Sequence, residues 1–259
     1  MVPITKVHFM LQNLLGREKL HGHSDVKTLD AVYWLGISLR HQEKDEEAEE
    51  MFQRILQGRE RLYEYDNKDT IHVVCWLGLC LGRQRRHDEA EKTFRRALEG
   101  REKLYGHDAA VTLEVVCWLG ICLQRQGKDE EAGKMFRRAL EGREKLYGHD
   151  AADTLDVACW LGASLHCQEK NEEAETLLRR ALEGSEKLFG PDAADTLDAA
   201  KWLGRTLYFQ KNHTEAKKIF EKCERGLEKL VGPEHEDTKS ARRWLVKAKD
   251  KISPGNASE

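Results

Sequence analysis

The residues that most invite a chemical reading are the thiols. Three of the seven cysteines, Cys75, Cys117 and Cys159, recur at intervals of 42 residues, and Cys159 is followed by His166 and Cys167. Disulfide, redox or metal chemistry would follow if these groups met, and geometry argues against it. Equivalent residues on stacked helices lie roughly 10 Å apart, whereas a disulfide needs Cα atoms within about 7 Å. Seven residues of straight helix span about 10.5 Å, and zinc bonds are about 2.0–2.3 Å long, so Cys159 and His166 cannot share one ion. Small apolar packing, or the lining of a binding groove, is what remains for the three cysteines. No glycine-rich phosphate loop stands out, because the glycines recur with the same period. Gln42, Gln84, Gln126, Gln168 and Gln210 also recur, as do Glu47, Glu89, Glu131, Glu173 and Glu215. An active site occurs once and a structural contact occurs in every copy. The expectation is no catalytic centre, no metal and no cofactor.

These residues hang on a repeat. Six tryptophans, Trp34, Trp76, Trp118, Trp160, Trp202 and Trp244, stand 42 residues apart, and a threonine lies six residues before each, from Thr28 to Thr238. A fixed period in this range marks a stacked-repeat protein. With the threonine as position 0, Leu or Ile at 1, Val or Ala at 4, Leu at 7, Gly at 8 and Leu at 11 share one helical face. This predicts a helix, A, from about Thr112 to Gln126 in the third copy. Asp69, Asp153, Asp195 and Asp237, or the threonine after each, are expected to cap it. A polar turn follows, with Asp45, Asp129 and Asn171 as expected caps of a second helix, B. Helix B carries Ala at 20, Phe52, Phe94, Phe136, Leu178 or Phe220 at 24, and mostly Ala at 27. It continues through Leu62, Leu104, Leu146, Leu188 and Leu230 and stops at Gly106, Gly148, Gly190 and Gly232. The tryptophans are expected to wedge between neighbouring A helices, each burying about 150–250 Å²; exposure at a groove edge is the alternative.

The order small at 8, large at 11, Ala at 20, aromatic at 24 and Ala at 27 resembles the tetratricopeptide repeat. Its period is longer than the usual length of about 34 and is similar to the kinesin-light-chain and nephrocystin form. The segments RRALEGREKLYGHDAA and KWLGRTLYFQKNHTEA are most similar to repeats at the C-terminal ends of fungal NOD-like receptors. The resemblance covers about residues 5–250. It implies an all-α, right-handed superhelical solenoid of helix–turn–helix repeats, forming one domain over 1–252. Within it lie a half repeat at 5–22 and repeats at 28–64, 70–106, 112–148, 154–190 and 196–232. A polar capping helix at 238–251 and a loose tail at 253–259 complete the chain. The opening half repeat fits a piece of a longer array or a self-capped start.

In that family the side of helix A opposite the core lines a concave groove that carries most ligands. At 100° per residue, positions 2, 5, 9, 12 and 13 face it. The candidate residues are Tyr33, Ile37 and Arg40 from the first repeat and His72, Cys75, Leu79 and Arg83 from the second. The third gives Cys117, Ile121, Gln124 and Arg125, and the fourth Cys159 and His166. The fifth gives Lys201, Arg205 and Tyr208, and the last helix Arg243. The middle is apolar and thiol-lined and the end basic and aromatic, which suits a peptide with an apolar stretch and an acidic end. Carboxylates at position 2 (Asp30, Glu114, Asp156, Asp198) either face a ligand or complement helix N-termini. Lys201 and Arg205 match part of the carboxylate clamp of chaperone adaptors, but the clamp asparagines are missing. The asparagines that kinesin light chains often carry at positions 5 and 6 are also replaced.

The composition fits a binding protein. It is 40% hydrophobic and 34% charged with four prolines, which favours helix, and the formal charge of −3 gives no field for nucleic acid. The longest apolar run, 73–82, is half a membrane span, and residues 1–15 lack the layout of a signal peptide. The expectation is a soluble, cytoplasmic protein with free thiols, binding another protein or peptide and neither nucleic acid nor membrane. It would act as a scaffold, and the resemblance implies the sensor arm of a fungal NOD-like receptor. The alternatives are a kinesin-light-chain-like cargo adaptor and a structural spacer or self-assembly module, the last forming homo-oligomers.

Overall fold

Two glycine notches set the register of each helical hairpin. The first is position 8 of helix A, where the ring at position 24 of the following helix B comes against the backbone. A Cβ added at Gly36, Gly78 or Gly204 would stand 2.9, 2.7 or 2.8 Å from Phe52, Phe94 or Phe220. The second is position 30 of helix B, which receives the side chain at position 1 of helix A. A Cβ at Gly184 or Gly226 would stand 2.5 Å from Leu155 or Leu197. Helices that approach this closely interlock in one register only.

The computed structural model describes residues 4–60 and 67–252, and the chain divides into two compact units, Met1–Gly127 and Lys128–Glu259. Unit 1 holds α1 (Ile4–His21), α2 (Val26–His41), α3 (Asp45–Glu60), α4 (Lys68–Arg83), α5 (His87–Tyr105) and α6 (Ala110–Arg125). Unit 2 holds α7 (Asp129–Tyr147), α8 (Ala152–Cys167), α9 (Asn171–Phe189), α10 (Ala194–Phe209), α11 (His213–Val231) and α12 (Glu236–Ile252). Among the described residues there is no strand. Each unit alternates B- and A-type helices, opening on a B helix and ending on an A helix, and the division falls at the turn inside the repeat at 112–148. Leu62, expected in helix B, and the tail at 253–259 lie outside the described residues.

The helix starts differ from the sequence expectation. Helix A begins two residues before its threonine. Its cap is Asp25 or Asn67 in the first two copies, each side chain accepting a backbone N–H at 2.9 Å, and an alanine without a side-chain bond in the next three. The threonine is the third helical residue, and it is buried. In three copies its hydroxyl donates to the carbonyl of the glycine that ends the preceding B helix: Thr112 to Gly106 at 2.9 Å, and Thr196 to Gly190 and Thr238 to Gly232 at 2.8 Å. It joins one helix to the next rather than capping its own. The adjacent aspartates sit in the first turn, where they complement the helix dipole. Asp45, Asp129 and Asn171 are likewise first helical residues and not caps. The B helices stop as expected: Gly106, Gly148, Gly190 and Gly232 take φ of 88°, 86°, 89° and 91°, a region that penalises any side chain.

The recurrent glutamines are structural. Gln84 donates to Glu49 at 2.8 Å, Gln126 to Glu91 at 3.0 Å, and Gln168 to the Asp129 carbonyl at 2.8 Å, each tying an A helix to the B helix before it. Two of the recurrent glutamates form ion pairs between successive B helices, Arg137–Glu173 and Arg179–Glu215, and two others pair with the turn before their own helix, Lys44–Glu47 and Arg86–Glu89. The tryptophans wedge between the preceding B helix and the neighbouring A helix: Phe52–Trp76, Phe94–Trp118, Phe136–Trp160 and Phe220–Trp244 have centroids 6.0–6.5 Å apart, while Trp76 donates to Tyr33, Trp202 meets His166 and Trp244 meets Tyr208 on the A helix before. Five are half-buried. Trp34, whose preceding B helix offers Met10 at the equivalent place, is 60% exposed.

Candidate protein-binding face of the A helices

The core side of each A helix is committed to its notches, which leaves positions 2, 9, 12 and 13 open to different degrees, except in the fourth copy, where Ala163 and His166 at positions 9 and 12 are buried. In unit 1, Tyr33, Ile37, Arg40, Leu79, Ile121 and Gln124 are half-buried, and His72, Arg83 and Arg125 are exposed. Cys75 and Cys117 are buried, at 1% and 2% exposure, so they belong to the core and not to the open face. The Arg101 guanidinium covers Cys75, donating to Sγ at 3.7 Å. Burial pushes the Cys75 thiol up to about 11, which leaves it protonated and unreactive near neutral pH.

Tyr33, His72 and Trp76 form the aromatic part of this unit's face. The His72 ring stacks on Trp76 with centroids 6.4 Å apart, Tyr33 meets His72 edge-on at 6.0 Å, and the Trp76 indole donates to the Tyr33 hydroxyl at 3.0 Å. Arg40 lies over Trp76, 4.7 Å from its centroid. Burial, then the nearby Arg101 charge, lowers the His72 pKa, so the ring favours its neutral form. Arg83 is held by Asp45 at 2.8 Å.

In unit 2, Cys159 and His166 are buried at 8% exposure each. Burial raises the Cys159 thiol and lowers His166. His166 Nδ1 lies 3.2 Å from Asn171 Oδ1 and 3.3 Å from the Thr206 hydroxyl, a local polar contact and not a ligand set. Among the described residues no group of three or more His, Cys, Asp or Glu is placed to hold a metal ion.

Lys201, Arg205 and Tyr208 are half-buried on α10, with Arg243 exposed on α12. The expected basic pair is unequal. Burial would depress Lys201, but its ion pairs to Asp198 at 2.6 Å and Asp237 at 3.1 Å outweigh that and hold the ammonium above its usual range. Arg243 is paired to Glu236 at 2.6 Å. Arg205 lies between two indoles, 4.5 Å from the Trp202 centroid and 5.3 Å from that of Trp244. The aromatic part of this face is larger than the sequence suggested. Phe209, 55% exposed, packs edge-on to His166 at 5.3 Å, and Tyr208 meets Trp244 at 5.4 Å. Trp202 and Trp244 were expected chiefly as seam residues. The signal for their second role is the three-residue spacing of Trp202 and Arg205, which puts a cation over an indole on one helix.

Among the described residues no helix is long and apolar enough to cross a membrane. The family profile described as Tetratricopeptide repeat matches residues 28–103, 69–145 and 153–229. No curated protein matches the chain by sequence. Solved structures share its fold. The putative kinesin light chain repeats of Podosopora anserina superpose with a TM-score of 0.66 at 15% identity, covering 78% of this chain and 96% of that one. BtubC (BKLC) from P. vanneervenii gives 0.66 at 18%, covering 98% and 94%. YrrB, described as a TPR protein with an unusual peptide-binding site, gives 0.57 at 15%, covering 89% and 97%. The fold is thus an all-α solenoid of helix hairpins, of a kind that typically serves interaction rather than catalysis. With the profile spanning most of its repeats, the chain belongs to the tetratricopeptide repeat family.

Proposed function

We infer that the chain is a protein-interaction scaffold that holds a peptide or an extended protein segment against the open face of its A helices. The observation that carries this reading is a contrast within the repeats. Position 7 is Leu in all six copies from Leu35 to Leu245, and position 14 is always Gln in the first five. Position 9 reads Ile37, Leu79, Ile121, Ala163 and Arg205, and position 13 reads His41, Arg83, Arg125, Cys167 and Phe209. Stacking asks for no such variety, whereas a surface that reads a non-repeating partner does. The aromatic and guanidinium groups on this face are the chemistry on which protein interfaces concentrate their energy.

Within this reading the chain is the sensing arm of a larger cytoplasmic receptor of the fungal NOD-like kind, supported by the likeness of its B-helix tails to those repeats. The cargo-adaptor reading is weaker, because Tyr33, Cys75, Cys117, Cys159 and Lys201 stand where the adaptor asparagine is expected. Affinity purification with the full chain tests the scaffold. Ile37→Asp and Leu79→Asp should release a partner that the outer-face variants Lys134→Glu and Glu99→Lys retain, with unchanged circular dichroism. Loss with the outer-face variants alone refutes the proposed face and favours the spacer or self-assembly alternative.

A further inference from the structure

Among the described residues α1 is a B helix with no A helix of its own hairpin beside it. Elsewhere in unit 1 the notch at position 30 is filled: a Cβ at Gly58 would stand 2.9 Å from Leu29, the position-1 side chain of the same hairpin. Gly16 is the same position in α1, and nothing lies within 4 Å of a Cβ there. The side chains around this empty notch are uncovered. Position 23 is half-buried as Met51 and Thr93 in α3 and α5, but in α1 it is Phe9 at 67% exposure. Position 34 is 40% exposed as Leu104, but in α1 it is Leu20 at 79%. With Trp34 and Leu15, Phe9 and Leu20 are the most exposed large hydrophobic side chains among the described residues. Asn13, at position 27, is the one polar group on this face, and the Arg17 Nε donates to it at 2.8 Å.

We propose that α1 docks one amphipathic helix of a partner protein, with a leucine or isoleucine seated in the Gly16 notch and a glycine seven residues later against Phe9 and Met10. The chain displays this fit in its own hairpin: Leu29 enters the Gly58 notch, and Gly36, seven residues on, passes Phe52 and Met51. Leu11 and Leu15 point to a partner of different build from a further repeat. They stand at positions 25 and 29, where α3 and α5 carry Gln53, Gln57, Arg95 and Glu99, so a repeat of the same kind would leave them in water. The terminal A helix of a second copy does not fit either, because α12 has Lys239 at position 1 and Val246 at position 8. α1 carries Lys6, Arg17 and Lys19 against Glu18 alone, which suits a helix with acidic flanks. The site is on a B helix and not on the open face of the A helices, so it stands or falls separately from the scaffold reading.

The probe is a fluorescein-labelled, end-blocked peptide of residues 151–168 carrying Cys159→Ser and Cys167→Ser. It supplies Leu155 and Gly162 at the required spacing, with Asp153 and Asp156 and no Lys or Arg. Fluorescence anisotropy should show saturable binding to the full chain at micromolar concentration, weakening as salt rises. Gly16→Leu fills the notch, where a side chain meets open space, and should weaken binding at least about tenfold with unchanged circular dichroism. Phe9→Asp, on an exposed ring, should do the same and serves if Gly16→Leu melts early. Leu155→Asp or Gly162→Leu in the peptide should cost a similar factor. Absence of binding overturns the proposal, as does binding that Gly16→Leu and Phe9→Asp leave intact. A parent chain that sediments as a dimer and becomes a monomer on Phe9→Asp gives the face to a second copy and overturns it too.

Discussion

Gly16→Ala and Gly184→Ala make the same change at the same repeat position, 30 in a B-type helix, and should move stability in opposite directions. At Gly184 the new Cβ would stand 2.5 and 2.7 Å from the two methyls of Leu155 and 3.2 Å from its Cγ. Leu155 is 1% exposed and has nowhere to turn. At Gly16 nothing lies within 4 Å, because no A helix packs on that side of α1 among the described residues. The helical gain of alanine over glycine is about 1 kcal/mol in both places. Overpacking a closed contact costs about 1–3 kcal/mol. Gly16→Ala should therefore stabilise α1 by up to about 1 kcal/mol, and Gly184→Ala should destabilise α8 and α9 by up to about 2 kcal/mol. Repeat arrays open locally, so a single global melt is the wrong instrument. Native-state hydrogen exchange with peptide resolution reads each hairpin alone. Exchange should slow in α1 by up to about fivefold and quicken in α8 and α9 by up to about thirtyfold. If Gly184→Ala leaves α8 and α9 as protected as before, the notch does not set the hairpin register and the packing argument fails.

Three further outcomes follow from the same contacts. Thr196→Val should cost about 1 kcal/mol by leaving the Gly190 carbonyl only its long bond from the Ala193 N–H at 3.4 Å, while Thr154→Val, whose buried hydroxyl has no partner among the described residues, should be neutral or stabilising; local exchange of α10 and α8 reads the difference. Burial, then Asp195 and Asp153, raises Asp156 from 3.8 to about 6. A carboxyl raised on folding contributes stability that is complete below its ordinary value and is lost as pH rises through the raised one. Asp156→Asn should thus raise the melting temperature near pH 7.5 and leave it unchanged near pH 4, and equal shifts at both values count against the assignment. Glu169 holds φ at 62° in the turn where Gly127 holds 74°. Glu169→Gly should stabilise α8 and α9 by up to about 1 kcal/mol in urea unfolding.

What the sequence disclosed and what it hid divide along the same line in every repeat. The notches, the helix stops and the alternation of A and B helices repeat, so five copies reveal them without an alignment. The threonine repeats too, yet its role was misread: a Thr near a helix start suggests a cap, and only the placement of Gly106, Gly190 and Gly232 shows that its hydroxyl reaches back to the previous helix. Cys75 and Cys117 sit at a face angle that grazes the seam between helices, where a small shift in packing decides between core and surface. Lys201 and Arg205 look equivalent in sequence. Their difference rests partly on Asp198, three residues before Lys201 on the same helix where Arg205 has Trp202, and partly on Asp237, 36 residues away, which no local pattern reports.

That difference is also what makes Arg205 informative. A half-buried cation without a counter-charge is costly in any fold, and here the indoles of Trp202 and Trp244 offset only part of the cost, at about 0.5–2 kcal/mol for a cation over an aromatic face. In a closed globular core such a residue would weaken the whole domain. In a stack, stability is close to a sum of local and nearest-neighbour contributions, so the cost stays within α10 and the helices on either side of it. The notches of α8 against α9 and of α10 against α11 hold whether or not Arg205 is answered. A repeat protein can therefore keep an unsatisfied charge at one copy of a position that is aliphatic elsewhere. On this argument Arg205→Leu, which restores the aliphatic type of position 9, should make α10 more resistant to exchange. A variant that became less stable instead would mean that the guanidinium is there to pack the indoles.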